Sequence, residues 1–306
     1  MGKKNGGAQP GAAVSVGPKK GKKTAFQIIE PYLYLLPALI LFVIFVFYPF
    51  VKTIVLSFSI TTPTGTFSMW NGVQNYIDIF TDVNFWSSMW ITFRFAIVTV
   101  ILSIVLGLIM AIVSNEKFPG RGFFRTVYSL PMAISAAAAA AMFTFILHPT
   151  VGTLNYVLHT NIGWLTNPKW ALFSVEMVTV WMRVGINFIF LLAALQSVPR
   201  DLYESAELEG AGFFRKHWSI TIPCISPTLF FLLIINVISA LQQYAQVRMM
   251  TDGGPSNSTR VIVFEIFEEA FTNGRFGVAC TESVILFIIM MILTRIQFNL
   301  EKGVTY

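Results

Sequence analysis

The sequence predicts an all-α integral membrane protein with six transmembrane helices. Of its 306 residues, 55% are hydrophobic and only 12% are charged, and the apolar residues fall in runs too long for the core of a soluble domain. A helix needs about 20 mostly apolar residues to cross a bilayer. A transmembrane barrel would instead show segments of about 10 residues that alternate in polarity, and the sequence has no such pattern.

Six apolar stretches are long enough to be spans. They are Tyr32 to Phe58, Met89 to Val113, Tyr128 to Leu147, Leu172 to Leu195, Pro227 to Val247 and Val278 to Phe298. The predicted organisation is therefore a basic cytoplasmic tail, 1–30, followed by a transmembrane domain, 31–306. The tail is expected to be disordered, because its Gly- and Lys-rich run has too few apolar residues to fold.

Basic residues predict the orientation, since Lys and Arg beside a span are retained in the cytoplasm. With the N-terminus inside, most of the 21 lysines and arginines are cytoplasmic. They are Lys3, Lys4, Lys19, Lys20, Lys22, Lys23, Lys117, Arg121, Arg125, Arg200, Arg215, Lys216, Arg295 and Lys302. Both termini are thus predicted to be cytoplasmic. The net charge of +6 indicates contact with anionic membrane lipid rather than nucleic acid, because the excess lies in the tail and the inner loops.

Motif spacing argues against nucleotide, metal and catalytic sites in this chain. The stretch GPKKGKKT fails the phosphate-loop spacing, and His148, His159 and His217 lie in different loops without a second ligand at metal spacing. No nucleophile clusters with a base, as a membrane-embedded enzyme would require. Cys224 and Cys280 are predicted near opposite faces of the membrane and are expected to be free thiols.

The segment from Pro199 to Pro223 is unusually polar for this chain. Pro199 suits a first helical turn, and the carboxylates that follow it lie at a positive helix end, so a short helix is predicted. Gly210 and Gly212 supply a break, after which a second helix leads to Pro223 and the fifth span. The expected result is a helix-turn-helix parallel to the membrane.

A protein partner explains this segment better than a lipid surface does. Helices that rest on lipid favour Lys and Arg on their polar face, whereas this one carries Asp201, Glu204, Glu207 and Glu209. The small residues Ser205 and Ala206 would let a partner approach closely, and Glu204 can offer its carboxylate to a partner's arginine.

The same segment resembles the cytoplasmic signature of permease subunits of binding-protein-dependent ABC importers, an E-A-A, three residues, Gly, nine residues, I-x-L-P pattern. This sequence departs from the pattern at Ser205 and Ile222, both times by a conservative change. It matches the pattern at Glu204, Ala206, Gly210, Ile220 and Pro223. The stretches YLYLLPALILFVIFVFYPF, FPGRGFFRTVYSLP, AALQSVP and MTDGGPSNST look like the carbohydrate-uptake branch, including maltose-type and glycerol-3-phosphate-type permeases.

The resemblance implies a type I ABC importer permease fold in the bacterial cytoplasmic membrane, with a coupling loop at 199–223. The loop helix would dock into a cleft on a cytoplasmic ATPase, and the implied docking residues are Glu204, Ser205, Ala206, Gly210, Ile220 and Pro223. The implied partners are an ATPase dimer, a second homologous permease and an extracytoplasmic solute-binding protein. ATP and Mg would be bound by the ATPase, with no cofactor and no catalytic residue in this chain. The cargo would be a sugar or polyol derivative, or else sn-glycerol 3-phosphate.

Polar side chains within spans are costly and are the candidates for a substrate pathway. They are Arg94, Arg183, Asn187, Asn236, Gln242, Gln243 and Glu282. Arg94 and Arg183 are predicted near the outer ends of their spans, where they either snorkel or meet substrate. Asn187, Asn236 and Gln242 are better candidates, because uncharged hydrogen-bonding groups suit sugar hydroxyls.

A secondary transporter for a small polar solute is the alternative function. Such a protein would need sites for a coupling ion and usually has repeated halves with broken helices. No repeat is evident in the sequence, and the spans are predicted to be mostly unbroken.

Overall fold

The computed structural model describes residue 2, residues 25–116 and residues 118–301. Most of the predicted disordered tail, 1–30, therefore lies outside the described residues, as do Lys117 and Lys302 of the predicted cytoplasmic set. The chain divides into two compact units, Met1–Val51 and Lys52–Tyr306.

The described residues are mainly helical. The helices are α1 (Ala25–Phe42), α2 (Tyr48–Ser57), α3 (Gln74–Thr81), α4 (Val83–Asn115), α5 (Arg121–Ser129), α6 (Ala136–Ile146), α7 (Thr153–Leu158), α8 (Pro168–Ser197), α9 (Arg200–Leu208), α10 (Phe213–Lys216), α11 (Ile222–Leu241), α12 (Ala245–Met250), α13 (Ile262–Phe267) and α14 (Phe276–Glu301). Two short antiparallel strands, β1 (Ser59–Thr61) and β2 (Phe67–Trp70), form a hairpin between α2 and α3.

Five continuous helices in the described part of the chain are long and apolar enough to cross a membrane. They are Tyr32–Ser57, Val83–Asn115, Pro168–Ser197, Phe213–Leu241 and Phe276–Leu300. Each overlaps one of the predicted spans, so the prediction of an all-α membrane protein is confirmed.

The third predicted span, Tyr128 to Leu147, is not one straight helix. Arg121–Ala133 and Ala136–Ile146 are bent by 102° at the break between them, and they give a sixth span only if the bent pair crosses as one. Pro131 lies just before the break and lacks an N–H to donate. Ser135 then starts α6 as its N-cap, with its Oγ accepting from the Ala138 N–H at 3.2 Å. The prediction of mostly unbroken spans was therefore wrong here.

The fifth span begins and ends earlier than predicted. A π-helical turn, His217–Thr221, joins α10 to α11, so that Phe213–Leu241 is one helix. The stretch before Pro223 is consequently the start of this span, and the predicted second helix parallel to the membrane was wrong. The helix ends at Leu241, which leaves Gln242 and Gln243 in the short break before α12.

Small residues allow α4 and α8 to pack closely, and these two helices form the most extensive helix pair in the fold. Buried small side chains recur along α4 at Thr92, Ala96, Thr99, Ser103, Gly107 and Ala111. The closest approach is at Gly107, where an added Cβ would lie 2.9 Å from the Asn187 Cβ of α8. The absence of a side chain at Gly107 therefore sets the distance between these helices.

Candidate partner-docking site

The docking segment, Pro199–Pro223, begins with helix α9. Pro199 is the N-cap residue, and Asp201 lies in the first turn. The helix is ended by Gly210, whose φ of +76° lies in the left-handed region that favours glycine. The Ala211 N–H donates to the Ala206 carbonyl at 2.9 Å across this turn. The predicted short helix and its glycine break are therefore present.

Helix α9 presents one exposed face formed by Asp201, Glu204, Ser205 and Leu208, which recur at three- and four-residue spacing. Leu208 is 91% exposed. Single exposed apolar side chains are common on protein surfaces, so the docking role of this face stays a prediction.

The opposite side of α9 is anchored to the rest of the fold through Tyr203. The Tyr203 hydroxyl lies 2.9 Å from the Thr221 Oγ1, and Thr221 is fully buried. Thr221 Oγ1 also lies 2.8 Å from His217 Nδ1 in the π-helical turn. The Tyr203 ring packs against a cluster that includes Leu195 of α8 and Ile225 of α11. A displacement of α9 would therefore move the end of α8 and the start of α11.

The predicted docking residues fall into two groups. Glu204 and Ser205 lie on the exposed face of α9, and Gly210 and Pro223 are also exposed. Ala206 and Ile220 are half-buried instead, and Ile220 packs in the same cluster as Tyr203. The docking role of all six residues stays a prediction.

Sequence reasoning missed several residues of this site. Tyr203 and Thr221 were not predicted to be site residues, and His217 was treated as a loop histidine. The sequence signature could have pointed to Tyr203 and Thr221, because both lie within it. Tyr203 directly precedes Glu204, and Thr221 lies between Ile220 and Ile222. Phe214 and Trp218 were also missed. They are 86% and 76% exposed, respectively, and lie in the part of the docking segment where the fifth span begins.

Two of the predicted pathway residues meet in the bundle. The Asn236 Nδ2 of α11 donates to the Asn187 Oδ1 of α8 at 2.8 Å and to the Leu232 carbonyl. Both asparagines are buried, and the Asn187 Nδ2 has no hydrogen-bond partner among the described residues. The pair joins α8 to α11, while its role in a pathway stays a prediction.

The two predicted arginines have different surroundings. Arg183 lies near the middle of α8, so its predicted position near the outer end of the span was wrong. Its Nη2 donates to the Ser239 Oγ of α11 at 2.6 Å, and it forms no salt bridge within residues 25–116 and 118–301. Arg94 of α4 instead lies 3.9 Å, Nε to Oε1, from the buried carboxylate of Glu176.

The remaining pathway candidates are dispersed. Gln242 is exposed and lies 3.6 Å, Nε2 to Sδ, from Met290. Gln243 is buried and donates from its Nε2 to Gln246. Glu282 is buried in α14, and its Oε2 has no hydrogen-bond partner in the described part of the chain.

A group of ion pairs that the sequence did not predict precedes the last span. Arg260 pairs with Glu268 at 2.8 Å and Arg275 with Glu269 at 2.6 Å, and the hydrogen bond from Arg275 to Glu269 raises the pKa of Arg275. Burial raises the pKa of Glu265 above its ordinary value, against a smaller lowering by a hydrogen bond with Ser88. The Arg260 pair connects the residues on either side of α13, and the Arg275 pair fastens the π-helical turn after α13 to the start of α14.

Comparison with known proteins identifies the family. Residues 103–306 match the binding-protein-dependent transport system inner membrane components. The sn-glycerol-3-phosphate transport system permease protein UgpA of Agrobacterium fabrum is 34% identical over 283 residues, which cover 91% of this chain and 97% of the relative. The corresponding protein of Brucella abortus is 33% identical with the same coverage.

A solved structure has the same fold. It is the crystal structure of a bacterial alginate ABC transporter in complex with an alginate pentasaccharide-bound periplasmic protein. One of its chains matches with a TM-score of 0.81 at 22% identity, over 92% of this chain and 98% of that one. The type I ABC importer permease fold is thus confirmed, and the alternative of a secondary transporter is not supported. This chain belongs to the family of binding-protein-dependent transport system inner membrane components and is the permease subunit of an ABC importer.

Proposed function

We propose that this permease subunit moves sn-glycerol 3-phosphate, or a closely related anionic polyol derivative, in preference to a neutral sugar. The relatives that are 33–34% identical over most of the chain are named for transport of this compound. A phosphate ester carries charge into a membrane, where a cationic group along the route would stabilise it.

The observation that supports an anionic cargo is the isolated charge of Arg183. A charged residue in the middle of a span is costly unless it has a function or a partner. The described part of the chain provides Arg183 with a neutral serine at 2.6 Å and no carboxylate in a salt bridge. Arg94 is less suited to this role, since its charge is shared with Glu176.

Uptake by the reconstituted transporter, with its solute-binding protein, tests this proposal. We expect Arg183→Gln to lower uptake of labelled sn-glycerol 3-phosphate about tenfold or more, because a hydrogen bond to a charged group contributes roughly 1.5–3 kcal/mol. Arg183→Lys keeps the positive charge, so its uptake should fall less than that of Arg183→Gln. The control is Arg248→Gln, because Arg248 is exposed and paired with Asp252. Two results would contradict an anionic cargo. One is that a neutral sugar inhibits uptake of the labelled compound as strongly as unlabelled sn-glycerol 3-phosphate does, and the other is full uptake by Arg183→Gln.

The exposed face of α9 is the proposed docking site for the ATPase. It offers carboxylates to a partner's arginine and apolar atoms to its cleft, and its inner side is anchored to two spans. Membership of this family implies a solute-binding protein and an ATPase as partners. We further propose that ATP and Mg bind to a dimer of that ATPase, and that a second, homologous permease completes the membrane part.

The proposed orientation places both termini and the docking segment in the cytoplasm. The basic residues of the inner loops support it. A single cysteine at Ser256, in a background in which Cys224 and Cys280 are replaced, should react with an impermeant maleimide in intact cells. A single cysteine at Glu207 should react only after the cells are opened. Both positions are exposed in the structure, so the reverse pattern of labelling would overturn this orientation.

A further inference from the structure

A cavity of about 650 Å³ lies behind helix α9, on the side away from Glu204. It is bounded by the ends of α4 and α8, the start of α5, and α10. Helix α9 contributes Arg200, Tyr203 and Glu207, which share one side of the helix because they are three and four positions apart. We call it the cationic cavity.

The cavity contains more positive than negative charge. Its basic side chains are Arg121, Arg125, Arg200 and Lys216, and its acidic ones are Glu116 and Glu207. Glu207 is already paired with Lys216, at 2.7 Å between Oε1 and Nζ. Arg121 and Arg200 form no salt bridge with any residue that the structure describes.

Arg125 of α5 has a second task that fixes its position. Its Nε and Nη2 donate to the Ser114 carbonyl at 3.2 and 2.8 Å, where α4 is about to end. A guanidinium has five N–H groups, so this contact leaves donors for another acceptor. The cavity therefore holds one positioned guanidinium and two without an ionic partner, and guanidinium groups match phosphate oxygens in geometry.

The other wall of the cavity is apolar. Ile112 of α4, Leu195 and Val198 at the end of α8, and Phe213 of α10 line it. Spans end at the depth of the lipid headgroups, so this wall faces the boundary between headgroup and acyl chain. The cavity is several times larger than a phosphate ion, and a soluble phosphate would leave the apolar wall uncovered.

We propose that the cationic cavity binds the phosphate of an acidic phospholipid, with the glycerol backbone and first methylenes against the apolar wall. The anionic leaflet supplies this ligand at high local concentration. Because Arg200 and Tyr203 line the cavity from the inner side of α9, a bound lipid would hold this helix in place and leave its exposed face free for the ATPase. Coupling would then depend on acidic lipid.

The test uses the complete transporter, with its ATPase, in nanodiscs of phosphatidylcholine with or without phosphatidylglycerol. Native mass spectrometry measures bound phosphatidylglycerol, and substrate-stimulated ATP hydrolysis reports coupling. We expect phosphatidylglycerol to bind and to raise hydrolysis in the wild type. Arg121→Gln with Arg200→Gln should weaken its binding about a hundredfold or more, since each substitution removes a hydrogen bond from a charged guanidinium to the phosphate in the cavity.

Arg215→Gln is the matched control, because Arg215 is an exposed arginine of α10 that does not line the cavity. It should bind phosphatidylglycerol as the wild type does. The double variant should keep the wild-type melting temperature in pure phosphatidylcholine, which separates lipid binding from misfolding. In a third experiment, inorganic phosphate is added to the transporter in pure phosphatidylcholine discs, and substrate-stimulated ATP hydrolysis should not change.

Three results would overturn the proposal. The first is equal retention of phosphatidylglycerol by the double variant. The second is activation by inorganic phosphate in the absence of acidic lipid, which would assign the cavity to a soluble anion. The third is loss of the ATPase subunit from the double variant in every lipid, which would assign the cavity to the docking interface.

Discussion

Glu204→Ala should abolish substrate-stimulated ATP hydrolysis and uptake while leaving the permease in the membrane. Glu204 is exposed on the docking face of α9 and forms no salt bridge with any residue that the structure describes, so its removal should cost the fold of this chain little. In the assembled transporter its carboxylate would pair with an ATPase arginine. Breaking such a pair leaves the other charge desolvated and costs on the order of 2–5 kcal/mol, which is enough to uncouple the ATPase.

Glu209→Ala is the control, because Glu209 is an exposed carboxylate at the C-cap of the same helix and is not one of the matched positions of the motif. Membrane insertion, co-purification of the ATPase and uptake are measured for both variants. Normal transport by Glu204→Ala would refute the role of α9 in coupling, and equal loss in both variants would indicate only a general effect of negative charge.

Gly107→Leu should prevent α4 and α8 from packing and lower the melting temperature of the assembled transporter. A Cβ on Gly107 would lie 2.9 Å from the Asn187 Cβ and 3.2 Å from the Phe188 backbone nitrogen. Overpacking of this kind typically costs about 1–3 kcal/mol or more. Leucine is the better helix former by roughly 1 kcal/mol, so the clash at the backbone outweighs the gain in propensity.

The control for this variant is Gly122→Leu. Gly122 lies in helix α5, and nothing lies within 4 Å of the position of its added Cβ. This variant should therefore keep the wild-type melting temperature or raise it slightly. The melting temperature of the purified complex and the amount of membrane-inserted protein distinguish the two cases. A Gly107→Leu protein as stable as the wild type would show that the helices can separate without cost.

The apolar runs predicted the spans because a membrane requires about 20 apolar residues per crossing, and the polar segment predicted α9 because it interrupts them. The two errors in the spans have local causes. Pro131 and Ser135 break the third span, although the apolar run continues across them. The π-helical turn at His217–Thr221 carries the fifth span through a stretch that looks polar.

The composition of the site was predicted better than its contacts. Glu204 and Ser205 follow from the motif and lie on the exposed face of α9. The bond between Asn187 and Asn236 joins residues 49 positions apart, and the contact of Tyr203 with Thr221 joins residues 18 positions apart. Each depends on how separate helices are placed, and hydrophobic periodicity within one helix carries no information about that placement.

The polar groups of α4 and α8 have a consequence for motion in the transport cycle. The Thr99 and Ser103 hydroxyls of α4 donate to the carbonyls of Phe95 and Val100 in their own helix, and Thr179 of α8 does the same with Val175. None of these bonds crosses between the helices, so they do not resist movement of α4 past α8. The ion pair between Arg94 of α4 and the buried Glu176 of α8, at 3.9 Å, does resist it. Helices α8 and α11 are joined by the hydrogen bond between Asn187 and Asn236. When the transporter opens from one side of the membrane to the other, α8 and α11 should therefore travel as one body, and any movement of α4 against α8 should require Arg94 and Glu176 to separate.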